Sequence, residues 1–228
     1  MSNSSLVTYI NLSPNYSVVE NKQNKKITIH HMAGNISIET CGKIFANKSR
    51  KASSNYGIGS DGRIGMYVEE KHRSWCSSSR SNDSQAITIE VANDSRGPEW
   101  HVSDKAMASL INLCVDICKR NGIKALNYTG DASGNLTKHE YFANTNCPGP
   151  YLGGKFAYIA SEVNKRLTSS QSSSSASSST PVPTLKRGSS GIHVKNLQTK
   201  LIYIGYDCGP KGADASYGKA TESAVKEF

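Results

Sequence analysis

No stretch of this chain approaches the roughly 18 consecutive apolar residues of a membrane-spanning helix. The opening residues, MSNSSLVTYINLSPNYS, have neither the basic start nor the apolar run of a secretory leader. Membrane insertion and leader-directed export are therefore not expected. Acidic residues are scarce: 18 Asp plus Glu stand against 27 Lys plus Arg, a formal charge of +9. That imbalance favours an anionic partner. The basic residues are scattered, with no cluster denser than residues 22–26, and no zinc-finger, helix-turn-helix or RNP pattern is present, so nucleic acid is not the expected partner. The six cysteines are an even count, but the chain is too long for a small disulfide-stapled scaffold and shows no export signal, so they are read mostly as thiols. Cys114 and Cys118, at i and i+4 of a helical pattern, suit buried small apolar side chains.

What the chain does have is enough length for one ordinary domain and a small appendage, 228 residues at 36% hydrophobic. The run SSQSSSSASSSTPVPT cannot bury apolar surface and marks a linker stiffened at its exit by Pro181 and Pro183. The expected division is a domain over 1–167, a Ser/Pro linker over 168–184 and a tail over 185–228. Both folded parts are basic.

Within the first part, Ile27 to His30 and Ala86 to Val91 alternate and are rich in β-branched residues, so both read as strands. The period of two sets Ile27 and Ile29 on one face and Thr28 and His30 on the other; Ile87, Ile89 and Val91 likewise oppose Thr88 and Glu90. Residues 55–68 read as a hairpin around Asp61-Gly62. Ser103 to Asn121 reads as a helix capped by Ser103, with a core stripe of Ala106, Leu110, Leu113, Cys114 and Ile117 and a stop at Gly122. Shorter helices are expected over 37–47 and 155–167. Interleaved strands and helices indicate an α/β domain, a mixed central sheet flanked by helices.

The strand ending TIHHMAG delivers His30, and the segment after Leu136, HEYFANTNCPGP, delivers His139 and Cys147. Three N and S donors leave one position open on a tetrahedral zinc ion, as in catalytic sites. A competing pair, His72 and Cys76 in KHRSWCSSS, has a ligand-like interval but lies in what reads as a Ser-rich surface loop without a third donor. His31, next to His30, is expected to point to the other face of the strand, toward the interior.

TIHHMAG, ASSNYGIGSDGRI, ITIEVAN and HEYFANTNCPGP, in that order, resemble the zinc-dependent N-acetylmuramoyl-L-alanine amidases of the type-2 amidase and peptidoglycan-recognition-protein superfamily, in particular endolysins and autolysins of clostridial type. The resemblance covers residues 25–167. It implies zinc bound by His30, by His139 and by Cys147, the ligand two residues before Gly149. The strand glutamate that activates water in many bacterial members falls on Glu90, and the position two before the last ligand falls on Thr145, whose hydroxyl could bond an oxyanion. A catalytic tyrosine used by other members has Ser54 in its slot. Amide hydrolysis needs an activated water, stabilisation of a tetrahedral oxyanion and a proton for the leaving amine, and this donor set can supply all three.

The tail, with its Gly188 to Gly191 turn, Val194, Leu197-Gln198, Gly205-Tyr206 and Tyr217-Gly218, resembles a three-helix peptidoglycan-binding module, here stopping short of that module's usual end. Together the resemblances imply a phage-type bacteriolytic amidase acting on peptidoglycan of a Gram-positive wall. It would be made in the host cytoplasm and released by a holin-like route or by lysis. The alternative is a non-catalytic peptidoglycan-binding protein.

Overall fold

The computed structural model describes residues 2–172, 184–203 and 206–228. The chain divides into two compact units, 1–175 and 176–228. The run expected as a linker falls largely on 173–183, outside the described residues.

The first unit runs β1 (Tyr9–Ile10), β2 (Tyr16–Val18), β3 (Lys26–His31), α1 (Ile38–Ala46), β4 (Tyr56–Ile58), β5 (Ile64–Met66), β6 (His72–Ser74), α2 (Arg80–Asp83), β7 (Ala86–Val91), α3 (Asp104–Asn121), β8 (Leu136–Lys138), α4 (Pro150–Gly153) and α5 (Phe156–Ser172). Six strands form one mixed sheet in the order β1-β5-β4-β7-β3-β8, parallel except for the β4–β5 hairpin; β2 and β6 pair antiparallel apart from it. The α/β reading, the two long strands, the hairpin and three expected helices are all present.

Ile27, Ile29, Ile87, Ile89 and Val91 fill one face of the β3–β7 pair, fully buried against Leu110, Leu113, Cys114 and Ile117 of α3 and Phe156, Ile159 and Val163 of α5. At roughly 1.5–3 kcal/mol per large apolar side chain removed from water, this face is a principal source of stability. Ser103 caps α3 by accepting from the Ala106 amide, and Gly122 ends it in the left-handed region, where a residue without Cβ meets no steric penalty. α5 continues five residues past Leu167, because the Thr168 and Ser169 hydroxyls bond back to the carbonyls of Asn164, Lys165 and Arg166 and so remain compatible with helix.

The opposite face is also buried, but it is polar. The Thr28 and Thr137 hydroxyls lie 2.9 Å apart, Asn82 Nδ2 donates to Thr28 Oγ1 at 2.9 Å, and Ser74 and Thr88 hydroxyls meet at 2.7 Å. Thr88 N donates to Asn55 Oδ1 at 3.0 Å. Buried hydroxyls and amides are tolerable where they find partners, and on this face Asn82 Oδ1 is an exception, buried without one among the described residues. Further along this face Gly57, paired with Glu90, carries no side chain; a Cβ there would come within 2.6 Å of the Tyr67 ring and hydroxyl. Tyr67 occupies that space and donates to the Ile38 carbonyl at 2.8 Å, tying α1 to the sheet.

The second unit holds α6 (Ile192–Tyr203) and α7 (Lys219–Glu227) around Leu201, Cys208 and Ala224. Buried Gln198 organises it: its Nε2 donates to Asp214 Oδ1, the Ser216 carbonyl and Thr221 Oγ1, and its Oε1 accepts from the Ala215 amide.

Candidate metal centre

The strand register sets the site. β3 and β7 run parallel with His30 opposite Glu90, and β3 and β8 pair with Ile29 opposite Lys138, so His139 leaves β8 beside His30. The His30 and His139 ring centroids are 4.5 Å apart. Cys147 returns to the same place on the following loop, where its Sγ accepts from the His31 amide at 3.4 Å and its carbonyl accepts from the Glu140 amide at 3.0 Å. The Cys147–Pro148 peptide is cis, and Gly149 follows at φ +81°. A Cβ on Gly149 would stand 3.1 Å from the His31 ring, so glycine there meets both a backbone and a packing demand.

One donor atom from each of His30, His139 and Cys147 lies within 4.8 Å of the other two. His30 Nε2, His139 Nε2 and Glu90 Oε2 are buried without a hydrogen-bond partner among the described residues. Buried polar atoms are rarely left so, and two imidazole nitrogens converging with a thiol make a set suited to a borderline-soft cation. Burial lowers the proton affinity of both histidines, well below the ordinary value for His30, where the neighbouring His139 and His31 act in the same direction. Both rings are therefore neutral, with lone pairs free to bind. Burial, reinforced by the Glu90 carboxylate, raises the Cys147 thiol; a metal ion would displace its proton. The residues fit a metal ion.

Glu90 and Thr145 line the same cleft of about 660 Å³, with His31, Trp75, Cys76, Arg50, Arg73 and Asp83 among the other wall residues. Burial holds the Glu90 carboxyl up at about 8, against smaller opposing effects of the Cys76 thiol and Arg50. Thr145 Oγ1 accepts from the Cys147 amide at 3.2 Å, which braces the loop and leaves its own proton free for another acceptor. Ser54 is buried and donates to the Tyr56 carbonyl at 2.8 Å.

Two placements differ from the sequence reading. His31 is half-buried rather than interior: it edges the cleft and packs edge-on against Trp100 at 5.5 Å. Cys76 is not on a surface loop but beside Glu90, its Sγ 3.9 Å from Oε1. The Ser-rich segment is drawn in by Asp83, a buried carboxylate that accepts from the amides of Cys76 and Ser77, both at 3.1 Å, and from the Ser77 hydroxyl at 2.6 Å. No local spacing signals this, since Cys76 reaches the site through a polar network rather than from a strand. His72, the other half of that pair, stacks on Tyr16 instead.

Residues 20–150 match the family model for N-acetylmuramoyl-L-alanine amidase, more than half of the chain. The chain belongs to the N-acetylmuramoyl-L-alanine amidase family. Residues 190–228 match a second model, for a peptidoglycan binding domain. N-acetylmuramoyl-L-alanine amidase CwlL of Bacillus licheniformis is 27% identical over 174 residues, covering 73% of this chain and 45% of that protein. A second sequence from that bacterium is 28% identical over 173 residues, covering 72% and 46%. This chain thus spans less than half the length of the curated relatives it matches. Among solved structures, Staphylococcus aureus hydrolase AmiA aligns with a TM-score of 0.56 at 15% identity over 72% of this chain and 84% of that one. Amidase LysC from Clostridium intestinale aligns with a TM-score of 0.51 at 20% identity, over 69% and 99%. The shared amidase fold is the mixed sheet and its helices.

Proposed function

We propose that this chain hydrolyses the amide between the lactyl carbonyl of N-acetylmuramic acid and the nitrogen of L-alanine in peptidoglycan, with zinc as its metal. One observation carries the reading: a ring nitrogen from each of His30 and His139 converges with the Cys147 thiol, both histidines carry a buried Nε2 without a partner among the described residues, and Glu90 brings an equally unpartnered oxygen into the same cleft. His30, His139 and Cys147 would hold the ion. Bound zinc supplies Lewis acidity, making water acidic near neutral pH and polarising a carbonyl. A cation bound beside Glu90 would favour its ionised form, and that carboxylate takes the proton of the attacking water and returns it to the departing alanine nitrogen, so water is added across the C–N bond and nothing else is consumed. The Thr145 hydroxyl, anchored by the Cys147 amide, donates to the carbonyl oxygen as negative charge develops there.

In this reading residues 1–167 form the catalytic domain, 168–184 a Ser/Pro linker and 185–228 a wall-binding module. The net charge of +9 favours an anionic Gram-positive wall, with attraction that weakens as salt rises. The role is lysis of that wall by a phage-type enzyme made in the host cytoplasm and released by a holin-like route. Incubation with purified peptidoglycan tests it: new alanine amino termini without new reducing sugars are expected. Chelation should abolish that release, zinc should restore it, and His139→Ala should never show it. Reducing sugars alone would overturn the amide chemistry, and binding with no product would leave a recognition protein.

A further inference from the structure

The cleft contains a second set of donors that shares one member with the first. A donor atom from each of His30, Cys76 and Glu90 lies within 4.8 Å of the other two. Glu90 Oε2 and His30 Nε2 are buried without a hydrogen-bond partner among the described residues, and the Cys76 thiol lies 3.9 Å from Glu90 Oε1, with the Thr88 hydroxyl as a second polar neighbour. The thiol is held there by design of the loop. Buried Asp83 spends both carboxylate oxygens on the amides of Cys76 and Ser77 and on the Ser77 hydroxyl, which fixes the turn carrying Sγ.

We propose that His30, Cys76 and Glu90 form a second, alternative metal position for a borderline divalent cation such as zinc or cobalt(II). Imidazole, thiolate and carboxylate are each ordinary ligands of such ions. Binding releases the thiol proton, and the carboxyl proton where one is present. His30 belongs to both trios, and its unpartnered Nε2 can bind one ion at a time, so an ion held through that nitrogen occupies one position or the other. An ion in the second position takes Glu90 as a ligand, and a carboxylate bound in that way cannot accept a proton from water. The second position is therefore a silent one, and the Cys76 thiol decides how firmly it competes. The inference rests on the reading that this cleft takes a metal ion, but not on the amide chemistry.

Cobalt(II) alone, titrated into the full chain, tests it, because each bound thiolate gives a ligand-to-metal charge-transfer band. Cys147→Ala removes the only sulfur of the first position. The expected result is that Cys147→Ala still binds one cobalt per chain with a thiolate band, and that Cys147→Ala/Cys76→Ala loses the band while keeping the same far-ultraviolet circular dichroism. A Cys147→Ala protein that is folded but shows no thiolate band overturns the second position, while the wild type's own band keeps the first. Persistence of the band in the double variant also overturns it, since Cys41, the third thiol lining the cleft, would then be the ligand. Absence of cobalt binding by the wild type would overturn the metal reading as a whole, which is distinct from failure to release alanine.

Discussion

The two faces of the β3–β7 pair are both largely buried, the polar one opening at Glu90, and are built on opposite principles. On one, Ile27, Ile29, Ile87, Ile89 and Val91 are held by contact with α3 and α5, and any of them could exchange volume with a neighbour at modest cost. On the other, Thr28, Thr88, Thr137, Asn55 and Asn82 are held by hydrogen bonds to one another, and the same strands end in His30 and Glu90, whose outer atoms have no partner. The comparison teaches where chemistry can sit on a buried sheet. A polar face largely satisfied along its length, with Asn82 Oδ1 the exception, can leave unsatisfied groups at its end, aimed at a ligand.

The largest effect should come from the unsatisfied end. Glu90→Gln keeps the shape of the carboxyl but removes its capacity to take a proton, and turnover of peptidoglycan should fall by about 10²–10⁴ while zinc remains bound. Equal zinc content with lost turnover would place Glu90 in the chemistry; loss of zinc with turnover would show that it mainly supports the metal.

On the apolar face the cost should appear in stability alone. Ile89→Ala, at a fully buried position, should lower unfolding free energy by about 2–5 kcal/mol, read from the denaturant midpoint at unchanged slope. Turnover per folded molecule should stay within about twofold, a threshold of roughly 0.4 kcal/mol on the barrier. A larger loss would mean that the two faces are not independent.

These two faces were not equally legible. Alternation in ITIHH and AITIEV, the Asp61-Gly62 turn and the Ser103 to Gly122 helix each rest on local chemistry, so the sheet's centre, its hairpin and its main helix could be read from the sequence. β1 has two residues and β8 three, too short for a period to register, yet β8 is what sets His139 beside His30. Cys76 was illegible for a different reason. Its neighbours Ser77, Ser78 and Ser79 have the composition of an exposed loop, and only the buried carboxylate of Asp83 turns them inward. His31 follows the alternation but stands at the strand's last residue, where the face it points to has become the rim of the cleft.

The same sheet has a polar anchor at its other end, and it predicts a pH dependence. Lys22 is buried, donating to Asn24 Oδ1 and to the carbonyls of Glu70 at 3.1 Å and Ala86 at 3.0 Å. Burial lowers its ammonium from the ordinary 10.5 to about 8, with Glu70 and Asp83 opposing the fall. Between those two values the unfolded chain holds a proton that the folded chain has released, so this group makes stability rise with pH from about 8 to 10.5. Below about pH 8 both states are charged, and the cost of burying the charge is felt in full, of order 3 kcal/mol at 1.36 kcal/mol per pH unit. Lys22→Met should flatten that rise, measured as the difference between the two proteins' unfolding free energies across the window. Parallel profiles would show that water reaches the ammonium and that the folded chain keeps its proton.

The smallest effect separates shape from hydrogen bonding on the polar face itself. Thr28→Val keeps the branched outline that a central strand favours but deletes a hydroxyl bonded to Thr137 Oγ1 and Asn82 Nδ2, both at 2.9 Å. Leaving buried donors unpaired costs about 1–3 kcal/mol, so that is the expected loss. Asn82 Nδ2 also donates to Ser77 Oγ at 3.2 Å, which limits what it forfeits and puts the expectation at the lower end. Thr28→Val/Thr137→Val removes both hydroxyls of the pair and should recover only a small part of the loss, because Thr137 Oγ1 also donates to the Ile27 carbonyl at 3.4 Å and is not left wholly unpaired in the single variant. If the double variant is instead worse than the sum of the singles, the polar face is held by the wider network through Asn82 rather than by pairs, and damage at Thr28 should then reach Cys76 through Ser77 and Asp83.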